Sequence, residues 1–89
     1  MAGKRIKFTF KNLDGNYRTV YLAGDFTDWG DNAIVMRQSK KTGEWTLTKS
    51  LTPGEHQYKF IADGKWVPDP KAPKKVNELG AENSVIRVD

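Results

Sequence analysis

Apolar and polar residues alternate with a period of two along several short stretches of the chain, the pattern of strands that bury one face. Ile6, Phe8 and Phe10 alternate with Lys7 and Thr9. Val20 and Leu22 share a face and lead into Ala23-Gly24, and Trp45 and Leu47 alternate with Thr46 and Thr48. His56, Tyr58, Phe60 and Ala62 alternate with Gln57, Lys59 and Ile61, and Ser84, Ile86 and Val88 stand against Val85 and Arg87. Residues 33–37 read as a buried strand. Turn signals separate these runs: Asp14-Gly15-Asn16, Gly30-Asp31-Asn32, Lys41-Thr42-Gly43, Pro53-Gly54 and Asp63-Gly64. Glycine accepts the positive φ that such turns need. No stretch carries a helical period. Residues 68–82 contain Pro68, Pro70 and Pro73 with no alternation, which predicts a long loop. The expected architecture is all-β, an antiparallel sandwich of six to eight short strands. Residues 1–3 read as a loose tail and residues 4–89 as one domain.

The same alternation sorts individual side chains. If Tyr58 and Phe60 face the core, Lys59 faces outward. His56 shares the face of Tyr58 and Phe60, which suits a core or edge role. Trp45 alternates with Thr46 and joins Leu47, so it belongs to the core. Trp29, in Asp25-Phe26-Thr27-Asp28-Trp29-Gly30, and Trp66, just past Asp63-Gly64, fall outside the periodic runs. From the residues alone each is either a lid over the core or an exposed platform.

Composition narrows the chemistry. With 89 residues the chain makes one domain, too small for a catalytic cleft between lobes. It has no cysteine, so disulfides, thiolate metal sites and cysteine nucleophiles are excluded. Its single histidine has neither a partner cysteine nor a nucleophile-elbow motif, and no glycine-rich phosphate loop is present. Many of the acidic residues (Asp14, Asp25, Asp28, Asp31, Asp63, Asp69) sit in turn-like segments, where aspartate stabilises the turn. No enzyme signature, metal site or cofactor motif is found. The net charge of +4 is spread along the chain, with small clusters at Lys4-Arg5, Lys40-Lys41 and Lys71/Lys74/Lys75. Scattered solvated charge is the expected reading, with no nucleic-acid or membrane partner. No apolar run approaches a membrane span and residues 6–10 alternate rather than forming a signal core, so a cytoplasmic setting is expected.

Four motifs occur in order: Gly24-Asp25-Phe26-Thr27-Asp28-Trp29, Gly54-Glu55-His56-Gln57-Tyr58-Lys59-Phe60, Asp63-Gly64-Lys65-Trp66 with Asp69-Pro70, and Leu79-Gly80-Ala81-Glu82-Asn83. Each is weak alone; together, over about residues 17–89, they resemble the family 48 carbohydrate-binding modules and, within them, the glycogen-binding domains of AMP-activated protein kinase β subunits. The resemblance implies an immunoglobulin-like, early-set sandwich. It also implies a non-catalytic site for α-1,4-linked glucan (glycogen, starch or maltooligosaccharides). Trp29 and Trp66 match the stacking tryptophans, Lys59 and Asn83 match side chains that hydrogen-bond sugar hydroxyls, and Leu79 matches an apolar knob in the late loop. Three departures stand out. Ala81 replaces a hydroxyl side chain, Thr27 replaces a common Asn in the Trp29 turn, and residues 30–43 are longer and more basic. The alternative is a sandwich that packs on a glucan-active enzyme or kinase without holding sugar itself, which requires Trp29 and Trp66 to be buried in the domain's own core.

Overall fold

The computed structural model describes residues 3–11, 17–76, 80 and 82–89. Nine strands are found among them. They are β1 (Lys4–Phe10), β2 (Val20–Gly24), β3 (Ile34–Val35), β4 (Arg37–Gln38), β5 (Trp45–Leu51), β6 (Gly54–Ala62), β7 (Lys65–Val67), β8 (Lys74–Val76) and β9 (Glu82–Val88). One turn of 3-10 helix, Trp29–Asn32, follows β2. All strand pairs are antiparallel. One sheet has the order β1-β5-β4, the other β3-β2-β6-β9-β8, with β7 pairing β6 beyond the end of β9.

The alternation read from the sequence is what closes the sandwich. Phe8, Phe10, Trp45 and Leu51 from the first sheet meet Val20, Leu22, Tyr58, Phe60, Ala62 and Val88 from the second in one buried cluster. The sheets lock through aromatic contacts of the edge-on or tilted kind that ring quadrupoles favour. Phe8 stands edge-on to Tyr58 at 5.0 Å, and Phe10 lies tilted on Phe60 at 4.9 Å. Trp45 is buried here as expected. His56 faces inward at the margin, edge-on to Phe26, and its Nε2–H donates to the Thr52 carbonyl at 2.8 Å.

Two expectations are corrected. Residues 33–37 are not one buried strand. Ile34 and Val35 pair with β2, whereas Arg37 and Gln38 pair with β5 in the opposite sheet. Met36, between them, is buried and donates its backbone N–H to Val20 O at 2.8 Å. The chain changes sheets there, so side chains on either side of Met36 face solvent, and Val35 is 55 % exposed. The second correction is residues 68–82, which are not one loop: β8 forms within them on the edge of β9. With β7, which the alternation does not mark, these two changes bring the described strands to nine, above the six to eight expected.

What holds the prolyl segment in place is a buried polar centre. Tyr58 Oη donates to Asp69 Oδ2 at 2.8 Å, Lys71 N–H to Asp69 Oδ1 at 2.9 Å, and Asp69 N–H to Ser84 Oγ at 2.6 Å. Burial, and then the bond and charge of Asp69, push the Tyr58 phenol far above its ordinary range, so it remains a donor. Tyr58→Phe strips the carboxylate of its hydroxyl partner within the core. The expected cost is ~1.5–3 kcal/mol, read as a lower urea midpoint at unchanged slope. A midpoint equal to wild type would mean that Asp69 does not depend on Tyr58.

Candidate functional site

The outward side chains of β6 form the centre of one open face. Tyr58 and Phe60 are buried, so Gln57, Lys59 and Ile61 project to the other side. Cross-strand partners share a face. On one flank, Ala23 of β2 lies opposite Lys59, and Tyr21 lies opposite Ile61. On the other flank, Trp66 of β7 lies opposite Ile61 and Val85 of β9 opposite Gln57. The β9 register places Ser84 against Tyr58, and one step further sets Asn83 level with Lys59. Lys59, Trp66 and Asn83 therefore belong to the same face.

Trp29 reaches this face through a constrained turn. Gly24 ends β2 where a Cβ would lie 2.6 Å from Gln57 O and 2.7 Å from the Phe26 ring, so only glycine fits. Thr27, buried, accepts the Gly24 N–H at 3.0 Å, with its own hydroxyl 2.9 Å from Trp29 O and 3.1 Å from Gly24 O. Asn32 N–H closes back on Thr27 O at 3.0 Å. These bonds hold Asp28 and Trp29 at φ 52° and 54°, left-handed values that cost a bulky side chain of order 1 kcal/mol or more. The threonine that replaces a common Asn thus supplies the turn with its own clamp. The strained turn lays Trp29 beside Trp66, with ring centroids 6.4 Å apart and planes inclined by 52°. Trp66 is 47 % exposed and Trp29 is partly exposed. Neither ring is sealed in the core.

Asn83 is less open than its expected role suggests. It is 6 % exposed, and its Nδ2 donates to Gln57 Oε1 at 2.9 Å. Gln57 was not singled out in the sequence, although it shares the alternation that identified Lys59. Its backbone also ties β6 to the Trp29 turn: its N–H donates to Asp25 Oδ2 at 3.0 Å and its carbonyl accepts Asp25 N–H at 3.0 Å. Beyond Asn83, Lys75 of β8 pairs with Glu55 at 3.3 Å. Leu79 and Ala81 lie outside the described residues.

Among the scattered basic residues a few share one sheet face. On the outer side of the β1-β5-β4 sheet, Arg5, Lys7 and Arg37 project beside Thr9, Thr46, Thr48 and Ser50, with exposed Lys11 just past β1. Sequence runs hide this grouping, because it joins alternate positions of β1 to one residue of β4 across β5. It lies on the opposite side of the sandwich from Trp66.

The β6–β7 hairpin that carries Trp66 turns at Asp63, itself left-handed at φ 48°. Its Oδ1 accepts the backbone N–H groups of Arg18 at 2.8 Å and Thr19 at 2.9 Å. The Thr19 bond first, then Arg18, hold this carboxyl below its ordinary value of 3.8. A carboxyl lowered on folding contributes stability above its unfolded value and loses that contribution as the pH falls through the folded one. Asp63→Asn is therefore expected to be less stable than wild type at neutral pH, with the difference shrinking as the pH drops below 3.8. Melting temperatures of both proteins across that range check it, and a constant difference contradicts the assignment.

A family model described as the glycogen recognition site of AMP-activated protein kinase matches residues 5–89. The chain is similar to 5'-AMP-activated protein kinase subunit beta-1 of Sus scrofa, 35 % identical over 87 residues, 98 % of this chain and 68 % of that sequence. It is similar to the beta-1 subunit of Rattus norvegicus, 36 % identical over 74 residues, 83 % of this chain and 26 % of that protein. Against the beta-2 subunit of Mus musculus it is 35 % identical over 71 residues, 80 % of this chain and 25 % of that protein. The chain thus spans about a quarter of the rat and mouse subunits it matches. A match over nearly its whole length, on a β-sandwich with paired indoles on an open face, means that this chain belongs to the family of the AMP-activated protein kinase glycogen recognition site.

Proposed function

We propose that this domain holds α-1,4-linked glucan on the face of Trp29 and Trp66, without acting on it chemically. The observation that carries the reading is the pair of accessible indoles 6.4 Å apart and inclined by 52°, on the face that bears Lys59 and Asn83. A pyranose ring has a C–H face that an indole covers while the hydroxyls remain free for hydrogen bonds. Two inclined indoles receive two successive sugars of a curved chain better than two rings of a flat one. Burying about half of a tryptophan's ~150–250 Å² against sugar is worth roughly 2–3 kcal/mol at ~25 cal/mol per Å².

Polar groups set the register. Lys59 offers an ammonium to sugar hydroxyls. Asn83 meets a sugar hydroxyl at the margin of the face; Gln57 is the residue that fixes its amide. Leu79 supplies an apolar contact from the late loop. The assignments of Lys59 and Asn83 rest on the family likeness and on the shared face, and that of Leu79 on the family likeness alone. Affinity for oligosaccharides is expected in the mM to μM range, about 4–8 kcal/mol, because the platform is open. The cleft of about 130 Å³ between β1 and residues 69–71 is well under the ~300–1,000 Å³ usual for enclosed small-molecule sites and holds no indole.

The module's place in a larger assembly, with a glucan-active enzyme or kinase as partner, is part of this proposal. The basic outer side of the β1-β5-β4 sheet faces away from the platform, so contact with a partner there leaves the glucan face free. Titration with maltoheptaose tests the central claim. Trp66→Ala is expected to weaken binding ~30-fold, a loss of about 2 kcal/mol, while the thermal unfolding curve stays close to wild type. Unchanged binding in this variant removes the platform. Binding of the neutral ligand should change less than about twofold between ~50 mM and ~200 mM salt, whereas a nucleic-acid site of several phosphate contacts loses orders of magnitude over that interval.

A further inference from the structure

The antiparallel registers of four strands set Val35, Tyr21, Ile61 and Trp66 in one transverse row. Val35 lies opposite Tyr21, Tyr21 opposite Ile61, and Ile61 opposite Trp66. All four project from the outer side of the second sheet, and none belongs to the buried cluster. Tyr21 is 36 % exposed, Val35 55 % and Trp66 47 %, and Ile61 is partly exposed. Neighbouring strands lie ~4.8 Å apart, so the row runs ~14 Å from Trp66 to the edge strand β3. Soluble domains do not commonly keep a connected apolar strip open on a sheet face without a use for it.

The row is continuous with the indole platform through Ile61. It ends at Val35, on a two-residue edge strand, because the chain crosses to the other sheet at Met36. The sheet change at Met36 is thus what leaves Val35 outside. Tyr21 is the aromatic member furthest from Trp66. Its ring can cover the apolar face of a pyranose, and its phenol can bond a hydroxyl, a combination well suited to a ligand that is apolar on its ring faces and polar at its rim.

We propose that the glucan platform continues beyond Trp66 along Ile61 and Tyr21 to Val35, and that Tyr21 is a further glucosyl subsite engaged only by longer chains. This inference rests on the reading of Trp29 and Trp66 as the primary platform. The ligand crosses the strands, so a short oligosaccharide fills the indole pair and a longer one reaches Tyr21.

The test is the ratio of affinities for maltoheptaose and maltotriose, measured by calorimetry on the whole chain. Wild type is expected to bind the longer ligand about tenfold more tightly, and Tyr21→Ala to lose that advantage while holding maltotriose as before. Retained maltotriose binding also shows that the variant is folded. Val35→Asp, at a more exposed position, is expected to reduce the ratio in the same direction. A wild-type ratio in both variants overturns the extension, as does equal loss of both ligands in Tyr21→Ala. Trp66→Ala separates the two levels. If it weakens both ligands about 30-fold while the Tyr21 and Val35 variants keep the wild-type ratio, only the extension fails; if it leaves both ligands at wild-type affinity, the primary platform fails.

Discussion

Side-chain alternation along β6 is the constraint on which the domain depends. Tyr58 and Phe60 point inward and close the core against Phe8 and Phe10. Gln57, Lys59 and Ile61 then have no option but the other face, where β2, β7 and β9 bring Tyr21, Trp66 and Asn83 alongside. One strand thus fixes both the packing and the binding surface. A slip of one residue in its pairing would turn Lys59 into the core and Phe60 to solvent, exchanging the two roles at once. Burial of Phe60 and Tyr58, at ~1.5–3 kcal/mol per large apolar side chain, is therefore also what orients the lysine.

Much of this was legible beforehand, for a definite reason. Period-two alternation is a local property, so the outward aim of Lys59, the burial of Trp45 and the inward face of His56 could all be read from neighbouring residues. Contacts that need two distant segments could not. Residues 33–36 are uniformly apolar, and nothing local says that Met36 is a crossing point between sheets; that follows from which strands lie on either side. Residues 68–82 look like loop because proline interrupts alternation, yet Lys74, Lys75 and Val76 find a partner in β9 that lies after them in the chain. Asn83 could be assigned to the site by family likeness, but its link to Gln57 spans two strands. The shared face of Arg5 and Lys7 follows from alternation, but that Arg37 joins them is a product of register and is invisible in the spacing of charges along the chain.

The strands and turn that carry the platform are braced by two hydrogen-bonded groups, one at the Trp29 turn and one on the buried side of β6. In the first, Thr27 clamps the turn that forces Trp29 into a left-handed conformation, and Asp25 bonds both to and from the backbone of Gln57. In the second, Asp69 joins Tyr58, Ser84 and the start of the prolyl segment. Such groups contribute little net stability when satisfied but cost several times more when one partner is removed. They select one geometry and penalise the rest. For a shallow binding face this matters, because the entropy of ordering two indoles would otherwise be taken from an affinity of only a few kcal/mol. Strain at Trp29 fits the same logic: the conformation is unfavourable by itself and persists because the surrounding bonds leave the turn no alternative.

An open, preorganised face implies a particular kind of ligand. An enclosed pocket gains affinity by surrounding a small molecule, whereas a flat strip gains it by the number of repeats that it touches. A polymer of identical units presents that number, and each unit added along the row Trp66, Ile61, Tyr21 and Val35 meets another patch of the same chemistry. Weak contacts then sum along one chain, and many chain ends on one particle keep a released module close to the next site, which raises its effective concentration without any new contact. A weak individual subsite suits such a target, since the module can move over the surface while staying attached to the particle. Rigid strands supply the regular spacing that this requires: successive positions across the sheet are set by the backbone hydrogen bonds, not by loops.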